Sequence, residues 1–134
     1  MLGENNETTT GKVIVTLDES TQLIVLSFSA PGKDDDEHEA MANETKRLYQ
    51  DILRKHPEAK FKVLVNLTNT GIPSKRAIEI YINTLSEKHI EKTAFFGMTG
   101  AIQSIISFIS EAAGRGQNTR FFIDEAQARG WLLS

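Results

Sequence analysis

Short runs of β-branched and aromatic residues alternate along this chain with stretches whose apolar side chains recur at helical spacing. That alternation limits the fold more than any other feature, because strands separated by helices pair in a mainly parallel sheet with helices on its faces. The strand candidates are Val13-Ile-Val-Thr-Leu17, Leu23-Ile-Val-Leu-Ser-Phe28, Phe61-Lys-Val-Leu-Val-Asn-Leu67, Thr93-Ala-Phe-Phe96 and Arg120-Phe-Phe-Ile123. Only the polar Asp18-Glu-Ser-Thr21 and Gln22 separate the first two, so these form an antiparallel hairpin.

Four helices fill the remaining intervals. Met41, Thr45, Leu48, Tyr49, Ile52 and Leu53 mark a long amphipathic helix that starts in the acidic run Asp34 to Glu39 and stops at Pro57. Ser74 is a natural cap for the second, where Ile78, Tyr81, Ile82, Leu85 and His89 share one face. Ile102, Ile105, Ile106, Phe108 and Ile109 make the third unusually apolar, and Gly114 and Gly116 end it. Asp124 caps the fourth, whose stripe is Ala128, Trp131 and Leu132. The expected order is ββαβαβαβα in one α/β domain over residues 13–134. Residues 1–12, polar and without periodicity, are expected to be a flexible tail.

Composition narrows the function classes. Fifteen Lys and Arg against eighteen Asp and Glu leave a net charge of −3, which gives no broad field for phosphate backbones and argues against nucleic-acid binding. Without cysteine there is no disulfide framework, thiolate metal site or cysteine nucleophile. No apolar stretch approaches the roughly 20 residues of a membrane span, and residues 1–10 lack the basic and apolar regions of a signal peptide. A cytoplasmic protein is expected.

Catalytic and cofactor motifs are absent from the sequence: it contains no G-x-S-x-G, no P-loop and no dinucleotide fingerprint. The acidic run around His38 reads as a helix N-terminus complementing the macrodipole rather than as a metal site. No metal, no cofactor and no enzymatic activity are expected. Two regions remain as candidates, both beyond the carboxyl ends of strands, where ligand sites gather in open parallel sheets. The first is a regulatory or anion-binding loop, with Thr68, Asn69, Thr70 and Ser74 leading into Lys75 and Arg76. The second is a ligand cavity or interface built from Phe95, Phe96, Thr99, Ile102, Ile105 and Ile106. The wide apolar arc of the third helix also makes a homodimer surface a candidate.

Three stretches carry a family resemblance: Lys62-Val-Leu-Val-Asn-Leu-Thr-Asn-Thr70, Lys92-Thr-Ala-Phe-Phe-Gly-Met-Thr-Gly100 and Phe121-Phe-Ile-Asp-Glu-Ala-Gln-Ala-Arg-Gly-Trp-Leu132. Over roughly residues 13–133 the chain resembles the STAS-like family, related to the bacterial sporulation anti-sigma-factor antagonist and grouped with the CRAL-TRIO lipid-transfer domains. The resemblance implies a non-enzymatic module that binds a protein partner and is switched by phosphorylation in the loop after the central strand. By position, Ser74 is the first candidate hydroxyl and Thr70 the second; the family's aspartate followed by serine is replaced here by Thr68-Asn-Thr-Gly-Ile-Pro-Ser74. The lipid-related branch implies the alternative, a small apolar or lipid-like ligand held between the sheet and a mobile helix.

Overall fold

The computed structural model describes residues 10–97 and 100–134. The hairpin forms as expected: β1 (Val13–Asp18) runs antiparallel to β2 (Leu23–Phe28). Their turn is fixed by Asp18, whose carboxylate accepts the Ser20 amide at 3.1 Å and the Ser20 hydroxyl at 2.7 Å. β3 (Phe61–Asn66), β4 (Ile90–Phe96) and β5 (Thr119–Phe122) then add in parallel, giving one five-stranded sheet in the order β1-β2-β3-β4-β5. The helices α1 (Asp35–Lys55), α2 (Lys75–Leu85), α3 (Gly100–Ala112) and α4 (Glu125–Leu132) alternate with the strands from β2 onward.

Two-residue alternation along the strands divides the core into two layers. Ile24, Leu26, Phe61, Val63, Val65 and Phe95 face α1, α2 and α3 and form the thicker layer with Met41, Tyr49, Leu85, Ile102, Ile106 and Ile109. On the other face Leu23, Leu64, Ala94 and Phe96 pack against Ala128 and Leu132 of α4. That single short helix meets β3, β4 and β5, so the outer strands of this face stay partly open, with Ile14 46% exposed.

The helix caps follow the sequence. The carboxylates of Asp34 and Asp124 and the hydroxyl of Ser74 accept the amides of Glu37, Gln127 and Ala77 at 2.9, 2.9 and 3.2 Å. Gly114 lies just past α3 with φ +74, the left-handed conformation that favours glycine after a helix. Strand ends shift by one residue at β1, β3 and β5, and two boundaries differ by three residues or more. α2 ends at Leu85, four residues before His89, and β4 begins at Ile90 rather than Thr93. The pairing of β3 decides this: the Phe61 amide donates to the His89 carbonyl at 2.7 Å and Phe61 lies opposite Ile90. His89 therefore leaves the helical stripe, and its Nδ1 lies 2.6 Å from the Glu87 carboxylate.

Of the expected tail, residues 1–9 lie outside the described residues. Thr10 donates from its amide and its hydroxyl to the buried Glu44 carboxylate, both at 3.0 Å, and Lys12 pairs with Glu37 at 2.5 Å. Among the described residues no helix is long and apolar enough to cross a membrane.

Candidate binding loop and the cavity beneath it

Because β2 to β5 run parallel, the segments that leave their carboxyl ends meet along one edge of the sheet. The loop after β3 is the most elaborately held of them. The Asn66 side chain accepts the Thr68 amide at 2.9 Å and the Thr68 hydroxyl at 2.6 Å, closing an Asx turn. Thr70 donates its amide to the Leu67 carbonyl at 3.2 Å. Gly71 follows with φ +68, and a β-carbon there would fall 2.8 Å from Cβ of Pro31 and 3.4 Å from the His38 ring, so only glycine lets the loop lie against the β2–α1 segment.

Ile72 then projects outward, 61% exposed, between Gly71 and Pro73. Ser74 caps α2, and Lys75 and Arg76 open the helix at the surface, Arg76 reaching Glu39 of α1 at 3.2 Å. The neighbouring strand touches the same loop: a β-carbon on Gly97, at the end of β4, would meet the Thr68 hydroxyl at 2.6 Å.

The candidate hydroxyls therefore differ in what they can do. Thr68 is exposed, but its hydroxyl is committed to Asn66. Thr70 is half-buried and turns toward the interior, while Asn69 is exposed. Ser74 holds its hydroxyl at a helix N-terminus, where an added phosphate would sit favourably against the free amides and beside Lys75.

Inward of Thr70 and Pro73 lies a mostly enclosed cavity between the sheet and α1, α2 and α3. Its volume is about 50 Å³, space for a few small groups and far less than a lipid chain. Phe95, Ile102 and Ile106 line it as the sequence suggests. Phe96 does not: as the next residue in the strand it points to the opposite face and packs with Leu64 and Ala128. Ile105 packs on the margin of the thicker core without reaching the cavity, and Thr99 lies outside the described residues.

The sequence reading missed the polar side of this cavity. Thr45 and Tyr49 of α1 and Tyr81 and Thr84 of α2 all line it. Thr45 and Thr84 return their hydroxyls to their own helices, donating to the Met41 and Ile80 carbonyls at 2.9 Å. Burial pushes the Tyr81 phenol up to about 12; the neighbouring Thr45 hydroxyl opposes the shift and the nearby Glu44 adds to it. Tyr49 is raised further, again by burial first and by Tyr81 second. The signal was present in the sequence, since three of these hydroxyl-bearing residues occupy apolar stripe positions.

The acidic run is a capped helix start. Asp34 caps α1, and Lys12 together with the Lys33 amide holds the Glu37 carboxyl below its ordinary range. His38 packs against Gly32 and Gly71, and among the described residues no group of His, Asp and Glu could hold a metal ion. Phe108 of α3 faces outward, 62% exposed. In comparison with known proteins, the chain matches no protein-family model and no curated protein.

Proposed function

We propose that this chain is a non-enzymatic regulatory module of STAS-like character that recognises a protein partner through the loop from Thr68 to Ser74 and the adjoining face of α2. The observation that carries this reading is Ile72, an exposed apolar side chain held between Gly71 and Pro73 in a loop that the Asx turn and the Pro31 contact keep in one shape. A preorganised loop loses little entropy when it binds, and an exposed aliphatic tip beside surface cations gives a partner both an anchor and a charge to recognise. Ser74 is the switch position, because its phosphate would add negative charge beside Ile72 while remaining compatible with the helix start. The test is mass spectrometry of the chain purified gently from its native host. A covalent phosphate mapping to Ser74 is the expected result, and an unmodified loop under conditions that change partner binding would overturn the switch.

A second reading, a binder of a small apolar ligand, is favoured by the cavity and its phenol and threonine hydroxyls. At about 50 Å³ the cavity admits only a small molecule or the tip of a larger one. A lipid-like ligand would require α3 to move outward from Phe95. A noncovalent adduct that disappears on denaturation in the same mass measurement supports this reading.

A further inference from the structure

At the opposite edge of the sheet, where β3 and β4 begin, Lys60, Lys62, Lys88, Lys92 and Arg115 line one open groove together with the acidic side chain of Glu91 and with Ser134, the last residue of the chain. The groove is open to solvent, with a volume of about 570 Å³. Lys62 and Lys92 are register partners on adjacent parallel strands, so two like charges stand side by side, an arrangement that opposes pairing. Among the described residues no carboxylate, including the chain terminus at Ser134, comes within 4.0 Å of these five cationic groups.

Two of the cations are held in place by other means. Lys92 donates to the Trp131 carbonyl at 3.3 Å and lies 4.9 Å from the centre of the indole, whose ring Arg120 also approaches at 5.5 Å. Arg115 donates from Nε to the Leu85 carbonyl at 3.1 Å and from a terminal nitrogen to the Glu87 carbonyl, which fixes its guanidinium and leaves further donors for a ligand. In a chain with net charge −3, this grouping concentrates positive charge against the overall balance.

We propose that this groove binds a phosphate-rich anion, a ligand carrying two or more adjacent phosphate groups. Several fixed or clustered cations facing one concavity match closely spaced negative charges better than a single carboxylate, and charge-assisted hydrogen bonds to phosphate are the strongest that lysine and arginine make. The chemistry is shared by a soluble polyphosphorylated molecule and by a lipid headgroup bearing several phosphates.

The test is calorimetric titration of the full chain with inorganic tripolyphosphate, at low salt and again at physiological salt. Saturable binding is expected, weakened about tenfold for each lysine removed in Lys62→Gln/Lys92→Gln. Lys33→Gln/Lys46→Gln, outside both the groove and the loop after β3, should keep the original affinity. Absence of binding at low salt, or equal weakening by both double variants, would overturn the proposal. Lys62→Gln alone keeps the Lys92 contacts to Trp131, so it should weaken binding about tenfold without lowering the thermal midpoint, which distinguishes a lost site from a lost fold. Co-sedimentation with phosphatidylcholine vesicles, with and without phosphatidylinositol bisphosphate, separates the sources. Lipid-dependent binding that tripolyphosphate displaces assigns the groove to a headgroup, and tripolyphosphate binding without vesicle binding assigns it to a soluble anion; both support the proposal.

Discussion

At the carboxyl edge of the sheet the polar groups are tied to one another: Asn66 to Thr68, Ser74 to the start of α2, and Arg76 to Glu39. At the amino edge, among the described residues, no carboxylate comes within 4.0 Å of Lys60, Lys62 or Lys88, and Lys92 relies on a carbonyl and an indole. Under the proposals made for them, the two edges would recognise their ligands by different means. A loop whose hydrogen bonds are satisfied internally offers shape and an apolar tip to a partner, whereas a groove whose charges are left uncompensated offers field. The two edges should therefore respond differently to the same kinds of perturbation.

The largest expected effect lies beneath the carboxyl edge. Tyr49 and Tyr81 both have folded-state values above the ordinary phenol value, so their contribution is complete below about pH 10 and is lost as pH rises toward about 12 for Tyr81. Unfolding free energies from denaturant titrations between pH 9 and 12 should fall, by roughly 2–3 kcal/mol from Tyr81 alone. Tyr81→Phe should flatten that fall; an unchanged slope would place the alkaline sensitivity elsewhere.

Next in size is Gly71→Ala. It requires a positive φ from alanine and drives a β-carbon into Pro31, so urea titration should show a loss of about 1–3 kcal/mol. Ser74→Ala should lose about 1 kcal/mol of cap energy by the same titration, while Ser74→Asp should lose much less. The smallest effect belongs to the amino edge and has the opposite sign. Lys62→Gln removes one of two adjacent like charges and should leave stability unchanged or raise it by a few tenths of a kcal/mol at low salt, a gain that disappears as salt is added.

The carboxyl edge was largely legible in the sequence, because its signals are local. Asp34, Ser74 and Asp124 are cap residues placed directly before periodic stretches, and Val13–Leu17, Leu23–Phe28 and Phe61–Leu67 carry their strand character in β-branched and aromatic composition. Residues distributed across several elements were not legible. Phe96 was grouped with Phe95 although alternation sends adjacent strand residues to opposite faces. Glu91 and Lys92 are charged residues that precede the apolar run Thr93–Phe96, and only pairing with β3 draws them into β4. The five cations of the amino-edge groove come from the segments around β3, α2, β4 and α3, and a net charge of −3 hid them. Tyr49 and Tyr81 read as core positions, and only the packing of α1 on α2 directs both phenols to one cavity.

The central claim, that recognition of a protein partner belongs to the carboxyl edge, is tested most directly by capture from native-host extract. The wild-type chain is compared with Ile72→Asp and with Lys62→Gln/Lys92→Gln at physiological salt, each variant first shown to be folded by circular dichroism. If the carboxyl edge carries recognition, a specific protein partner is retained by wild type and by the lysine variant and lost from Ile72→Asp. Retention of that partner by Ile72→Asp, or its loss from the lysine variant alone, would contradict it.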